Sequence, residues 1–388
     1  MDSSWLRAGV TRAASALTHT SSVNYDAGLR LPESMTELPR LPEGETWDGL
    51  HRRFLARVVE RDLFTATPAR AIFRASSIIV AHGVLWVLLL GSHGWPVRAA
   101  LLVLTSAVVV QGGLLGHELA HLAITRKGAR SLGLLFMTVL GGQANGQWLE
   151  QHHGHHQRMQ EPLRDPDLEV DVFALSDEAA RQKRSIWLLT TRLQRWLFWP
   201  AATLMAFSIR VQTALWILRN APRSLLQGLA LCAHFALWLV IPAYVIGWSS
   251  ALVNCALLTW FIGMFMMASF YWNHLGRPVF RPDDETPFFA RCYLGSRCLA
   301  GGPLLTTMFG GLNYHVEHHL APGVPIENLG AARRELLAVL AEVGLELPIW
   351  SWSGAMREVH EHLVSVSRVA GRGLPQSVTQ PAKVPARP

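Results

Sequence analysis

The sequence has few charged side chains for its length. Only 16% of its 388 residues are Asp, Glu, Lys or Arg, whereas 50% are hydrophobic. Soluble globular chains carry about 25% charged residues, so the composition argues against an ordinary soluble enzyme and against a disordered chain. Lys and Arg outnumber Asp and Glu by 35 to 28. Because this basic excess accompanies long apolar runs, it predicts contact with an anionic membrane surface rather than with nucleic acid.

Cysteine is scarce, and the usual sequence signatures of a redox cofactor are missing. The four cysteines are Cys232, Cys255, Cys292 and Cys298, and their spacing matches neither a disulfide framework nor a metal site. The sequence contains no four-cysteine iron–sulfur motif and no glycine-rich dinucleotide-binding motif after a strand. A redox enzyme built on this chain would therefore need a separate electron donor.

Four apolar runs are long enough to cross a bilayer, which takes about 20 residues. They lie at 76–95, 98–116, 228–248 and 251–272. Short links at Gly94-Trp95 and Gly247-Trp248 join them into two predicted helical hairpins. A fifth apolar stretch, 186–218, is interrupted by arginines and Pro200 and is rich in tryptophan. That mixture predicts helices lying in the headgroup region rather than a fifth span.

Basic residues orient the predicted hairpins. They lie near the ends of the spans that are opposite the hairpin turns. These residues are Arg52, Arg53, Arg57, Arg61, Arg70, Arg74, Arg126, Lys127, Arg130, Arg219, Arg223, Arg277 and Arg281. The two turns have almost none. By the positive-inside rule, both termini and the segment between the hairpins are predicted to face the cytoplasm. We divide the chain into a polar N-terminal segment (1–60), a membrane domain (61–350) and a C-terminal helix with a disordered tail (351–388).

Histidines form three clusters, HELAH (117–121), HHGHH (152–156) and HVEHH (315–319). Within each cluster, histidines three or four residues apart share one helix face, with Cβ atoms about 5–6 Å apart. His274 follows the fourth span, on the same predicted side of the membrane. The predicted metal ligands are His117, His121, His152, His155, His156, His274, His315, His318 and His319. One such pair could be an ordinary surface feature, but three clusters on one side of a membrane predict metal binding.

The number of histidines limits the choice of metal. Nine imidazoles are too many for one zinc ion, which takes about four ligands. Two six-coordinate ions would leave about three positions open for water, oxygen or a weak ligand. Open positions beside an apolar domain favour oxygen chemistry and hence two iron ions, with a two-zinc hydrolase as the alternative. A metal transporter would place its ligands at mid-membrane rather than at one end of the spans.

The three clusters resemble the histidine boxes HxxxH, HxxHH and HxxHH of the membrane fatty acid desaturase superfamily. The strings Asp165-Pro-Asp167 and 313–325 are also similar to that family, and the resemblance covers roughly residues 60–350. It implies an all-α integral membrane protein, with four transmembrane helices in two hairpins, interfacial helices and a cytosolic helical cap that carries the boxes. It also implies a non-haem di-iron centre ligated by the box histidines, and His274 matches a further family ligand.

The resemblance implies an oxygen-dependent desaturation of a fatty acyl chain that is free or bound to lipid, CoA or a carrier protein. The first box is as similar to that of the family's hydroxylases, so hydroxylation of an acyl chain or another apolar substrate is the alternative. Electrons would come from a ferredoxin or cytochrome b5-type donor with its reductase. A basic surface for that donor, which could equally contact lipid headgroups, comprises Arg181, Lys183, Arg184, Arg192 and Arg195.

Two further sets of residues are predicted around the metal ligands. The polar side chains expected to orient the ligand imidazoles are Glu118, His153, Asp165, Asp167 and Glu317. The aromatic side chains expected to line a channel for the apolar substrate are Trp148, Phe270, Tyr271 and Trp272. For the Asp165-Pro-Asp167 string, a simple turn is an equally good interpretation.

Overall fold

The computed structural model describes residues 38–281 and 284–373, and the regular structure there is almost entirely helical. The first eleven helices are α1 (Trp47–Glu60), α2 (Pro68–Gly91), α3 (Trp95–Ala120), α4 (Ala129–Leu140), α5 (Asn145–Arg158), α6 (Asp177–Gln182), α7 (Ser185–Arg192), α8 (Gln194–Ala202), α9 (Met205–Arg219), α10 (Leu225–Ile246) and α11 (Trp248–Phe270). The later elements are α12 (Phe288–Gly295), β1 (Cys298–Leu299), α13 (Pro303–Met308), α14 (His315–Leu320), α15 (Ile326–Ala341), β2 (Ile349–Trp350) and α16 (Trp352–Val369).

Four of these helices, α2, α3, α10 and α11, are long and apolar enough to cross a membrane. This confirms the four predicted apolar helices and the all-helical fold class. The observed α2 begins well before its apolar run, because Pro68 suits a first helical turn and the following residues extend the helix. The observed α3 continues past its apolar run to Ala120, so the first histidine cluster is part of the span itself.

Both hairpins turn at a glycine. Gly94 (φ +87°) precedes α3, and Gly247 (φ +82°) precedes α11. These angles lie in a region that glycine adopts far more readily than other residues. The helix α3 packs against both α2 and α11, and 50% of its apolar segment is buried inside the protein, compared with 17% for α2. The centre of the bundle is therefore α3, whose end carries the first cluster.

The apolar stretch between the hairpins folds into the helices α7, α8 and α9, and the last two are bent by 71° relative to each other. A Cβ added at Gly263 of α11 would lie 2.0 Å from the carbonyl oxygen of Thr203, at that bend. Only glycine permits this close approach of two backbones. Trp187 and Trp196 are largely exposed, as expected for helices at a membrane surface. By length and composition, α8 and α9 together could also form one broken span.

A short apolar helix, α4, was not anticipated from the sequence. It follows the first cluster, packs against α3 and α10, and changes to a π-helical conformation over Leu134–Leu140. At its end, Gly142 adopts φ +74°, and the side chain of Thr138 accepts a hydrogen bond from the N–H of Asn145 at 3.0 Å. This turn reverses the chain, so that α5 returns towards the end of α3.

The remaining elements form the cap that covers the histidines. Helices α12, α14 and α15 pack against α1 around a core that includes Phe54, Phe289 and Leu336. The strands β1 and β2 form a two-residue parallel pair, and α16 packs against α6 and α8. The predicted polar segment 1–60 is described only from residue 38. Of the predicted disordered tail, 371–388, only residues 371–373 are described.

Candidate metal centre

The first histidine cluster lies where α3 ends. His117 is in its last turn, and His121 is the residue that ends the helix. Because the two positions are four residues apart, the rings lie on one face, with centroids 4.9 Å apart. The central helix of the bundle thus presents two imidazoles at the edge of the membrane-spanning region.

The second cluster lies on α5. His152, His155 and His156 share one face of this helix, whereas His153 is exposed on another side. The indole of Trp148, one turn earlier, stacks on His152 with ring centroids 4.4 Å apart and an angle of 15° between the planes. This stacking limits the orientations of the His152 ring and keeps it directed towards the neighbouring histidines.

The third cluster and His274 come from the opposite side. All six residues of α14, including His315, His318 and His319, are buried. His274 lies in the turn after α11, where its Nδ1 lies 2.8 Å from the carbonyl oxygen of Gly295. That carbonyl accepts a hydrogen bond from Nδ1, which leaves the lone pair of Nε2 free for a ligand.

All nine predicted ligand histidines converge on one region, in two adjacent groups. The first group, which can hold one metal ion, is His117, His121, His152, His156 and His318. The second group that can hold an ion is His155, His274 and His319. His315 joins this second group, because its Nε2 lies 2.7 Å from that of His274 and 3.2 Å from that of His319.

The spacing of the nitrogen atoms fits octahedral coordination. A metal ion with bonds of about 2.1 Å to nitrogen holds ligand atoms at right angles to each other roughly 3.0 Å apart. The observed Nε2–Nε2 distances are 2.7 Å for His121–His152, 3.1 Å for His152–His156, 3.2 Å for His156–His318, 3.2 Å for His155–His274 and 3.0 Å for His274–His319. A set made only of imidazoles suits iron, zinc, copper or nickel.

Burial keeps most of these imidazoles neutral. Burial and the neighbouring imidazoles lower the pKa of His121 to about 4, and they lower the pKa of His318 and His319 well below the ordinary value. At neutral pH these side chains are therefore unprotonated, which is the form that can ligate a metal ion.

His155 differs from the other histidines because two carboxylates face it. Its Nδ1 donates to the oxygens of Asp165 at 2.9 and 3.1 Å, and it lies 3.6 Å from Asp167. Burial lowers the pKa of His155, but these carboxylates outweigh that effect and raise it to about 9. Asp165 is 1% exposed and also accepts from the N–H groups of Gln160 and Asp167. The Asp165-Pro-Asp167 string thus forms a turn and orients an imidazole as well.

The two box glutamates contact arginines rather than imidazoles. Glu118 accepts a hydrogen bond from Arg74 of α2 and another, at 3.2 Å, from the N–H of Ile326. Glu317 is fully buried and accepts from Arg333 of α15 at 2.6 Å. Instead of orienting a ligand ring directly, these carboxylates fix the helices that carry the first and third clusters.

The structure places the other predicted site residues at varied distances from the imidazoles. The exposed ring of His153 lies 6.4 Å from that of His121, between ring centroids. Trp272 is fully buried, with its centroid 5.6 Å from that of Phe309 and 6.4 Å from that of His315. Phe270 and Tyr271 pack in hydrophobic clusters. A channel lined by these aromatic side chains stays a prediction.

Gln160, which no sequence pattern marks, connects two parts of the site. Its side-chain NH2 donates to the carbonyl oxygens of His274 and Arg277 at 3.1 and 3.0 Å, while its N–H donates to Asp165. Gln160 is 1% exposed and has a φ of +60°. No spacing rule reveals such a residue, because its role depends on two loops that are far apart in sequence.

Comparison with known proteins agrees with this geometry. The family model described as fatty acid desaturase matches residues 93–350, which include all three clusters and His274. An acyl-lipid 8-desaturase from Rebecca salina is 25% identical over 306 residues, which cover 76% of this chain and 69% of that protein. Fatty acid desaturase 3 from Homo sapiens is 24% identical over 313 residues, covering 76% of this chain and 68% of that protein.

A third relative is a delta 8-(E)-sphingolipid desaturase from Emericella nidulans, 24% identical over 283 residues. The match covers 65% of this chain and 50% of that relative, so this chain spans between half and about seven tenths of the relatives named here. Because the family model matches most of the chain, the assignment does not depend on any one relative. The chain belongs to the fatty acid desaturase family and is an oxidoreductase of that kind.

Proposed function

We propose that this protein desaturates a fatty acyl chain at a di-iron centre, in a reaction that consumes oxygen and two external electrons. The proposal rests on the two adjacent imidazole groups, whose nitrogen atoms have the separations expected of ligands on two neighbouring ions. Iron bound there would supply the oxygen activation needed to remove hydrogen from an unactivated carbon. The relatives are named as desaturases of acyl-lipid, fatty-acid and sphingolipid type.

The nine imidazoles divide between the two ions. His117, His121, His152, His156 and His318 would hold one ion, and His155, His274, His315 and His319 the other. Two six-coordinate ions have twelve positions, so about three would stay open for oxygen and water. Asp165 and the carbonyl of Gly295 would orient the second group by accepting from Nδ1 of His155 and His274.

The position of the site suits an apolar substrate. The first cluster ends α3 and His274 follows α11, so the ligands lie at one end of the membrane-spanning helices. An acyl chain could reach this end directly from the bilayer, and the buried imidazoles and the Trp148 ring would keep bulk water away from the reacting carbon. The substrate is therefore a fatty acyl chain held in or next to the membrane.

Desaturation should produce an acyl product two hydrogens lighter than its substrate. Membranes that contain the protein would receive acyl substrate, oxygen, NAD(P)H, a reductase and a ferredoxin or cytochrome b5-type donor, with products measured by lipid mass spectrometry. Omitting the donor is expected to stop turnover, because the chain has no sequence motif for another redox cofactor. A product heavier by one oxygen would identify a hydroxylase instead. Turnover under strict anaerobiosis would contradict both reactions.

We further propose that both termini and the metal centre face the cytoplasm, as the arginine distribution predicts. In a background without Cys232 and Cys255, a cysteine at exposed Ser249 should react with an impermeant thiol reagent in intact cells. Ser131 is exposed at the start of α4, just after the first histidine cluster, and a cysteine there should react only after lysis. The opposite labelling pattern would place the ligands away from any cytoplasmic electron donor and contradict this topology.

A further inference from the structure

A basic cavity lies where α7 and α8 meet the end of α16. Its walls include Arg192 and Arg195 on one side and Arg368 and Arg372 on the other, and its volume is about 420 Å³. All four arginines are exposed, and none forms an ion pair with a carboxylate of the described residues. Four uncompensated guanidinium groups around one cavity create a strong preference for an anion.

A backbone turn forms part of the wall of this cavity. The chain turns at Gly371, which has a φ of +77°, and its N–H donates to the carbonyl oxygen of Ala180 at 2.9 Å. A Cβ at this position would lie 2.7 Å from the side chain of Leu188. The turn brings Arg372 to the α7–α8 junction, and the residues that line the cavity include no carboxylate.

The helices that carry Arg192 and Arg195 also expose apolar side chains. Ile186, Leu189, Leu193 and Trp196 of the α7–α8 region are between 42% and 67% exposed. Exposed aromatic and aliphatic side chains next to arginines are typical of a helix that lies in the headgroup layer of a bilayer. This composition suits a cavity at the depth of the lipid phosphates.

We propose that the arginine cavity binds the phosphate group of an anionic phospholipid of the surrounding membrane. The guanidinium forks of Arg192, Arg195, Arg368 and Arg372 match the geometry of phosphate oxygens, and the neighbouring apolar side chains would contact the acyl chains. An acidic protein would fit this surface less well, because its polar groups would lie against these exposed apolar side chains. The inference goes beyond the desaturation reaction, because it concerns a site made of other residues.

Native mass spectrometry of the full-length protein in maltoside detergent can test this proposal. Phosphatidylglycerol and phosphatidylcholine with identical acyl chains would be titrated separately, and inorganic phosphate would be tested as a competitor. We expect tighter binding of phosphatidylglycerol, because it has a net negative charge. We expect R368Q/R372Q and, independently, R192Q/R195Q to weaken that binding about tenfold. The matched control R334Q/R357Q removes two exposed arginines from elsewhere in α15 and α16 and should bind as the wild type does.

Three results would overturn the proposal. Wild-type affinity for phosphatidylglycerol in both cavity variants would show that the lipid binds elsewhere. Displacement of the lipid by an equal concentration of inorganic phosphate would identify a site for free anions. A defect of R368Q/R372Q confined to the apparent KM for the electron donor, with lipid binding unchanged, would assign the cavity to an acidic protein. The first two results come from binding alone and do not depend on the proposed reaction.

Discussion

Replacing His318 with alanine is expected to remove bound iron and to reduce acyl desaturation by more than about 100-fold. Its Nε2 lies 3.2 Å from that of His156, and its ring centroid lies 4.6 Å from that of His117. The substitution would delete one of five nitrogen ligands and leave a gap that the buried surroundings cannot fill with another ligand. Elemental analysis of protein purified with its metal retained, together with turnover in membranes, measures both effects.

His156→Ala should give the same result, because His156 lies between His152 and His318 in the first group. The matched control is His93→Ala, which removes an exposed imidazole at the turn between α2 and α3. This control should keep its iron and its activity. Equal losses in all three variants would contradict the assignment of the boxes, and full iron content in His318→Ala would exclude this histidine as a ligand.

Asp165→Asn is expected to weaken iron binding by about 10- to 100-fold, as removal of a residue that orients a ligand commonly does. Asp165 accepts from Nδ1 of His155 and from the N–H groups of Gln160 and Asp167. Asparagine has nearly the same shape, but one oxygen becomes a donor that faces another donor, and the negative charge is lost. Titration of metal-depleted protein with Fe(II) gives the affinity, and the thermal midpoint of the metal-free protein reports folding.

The control for this substitution is Asp171→Asn, which removes the same charge from an exposed position in the same loop region. It should bind iron as the wild type does. A purely structural role for Asp165 would lower the thermal midpoint of the metal-free protein and leave the iron affinity of the folded fraction unchanged. That pair of results would contradict a role in orienting His155.

Features set by local pattern could be predicted from the sequence. The four spans follow from apolar runs, and the turns at Gly94 and Gly247 follow from composition. The shared helix faces of the histidine clusters follow from their spacing, and the arginines that flank the spans predict one side of the membrane for all three clusters. His274 has no neighbouring histidine, and it was included because of its position after the fourth span and its match to the family.

Features set by contacts between distant segments could not be predicted. Nothing in the sequence indicates that Glu118 and Glu317 bind arginines of α2 and α15 rather than ligand imidazoles. The apolar segment of α4 is too short to be recognised as a membrane span. Gln160 is an ordinary polar residue until the loops after α5 and α11 come together around it. These features depend on how distant parts of the chain pack together, which a local sequence pattern does not specify.

Because the histidine ligands come from distant parts of the sequence, the metal centre can be completed only late in synthesis of the protein. His156 and His318 are 162 residues apart in sequence, yet their Nε2 atoms lie 3.2 Å from each other. The first group therefore stays incomplete until α14, which follows both hairpins in the sequence, has left the ribosome. Metal loading must be a late step in biogenesis, and a chain that ends before α14 would enter the bilayer without a complete centre.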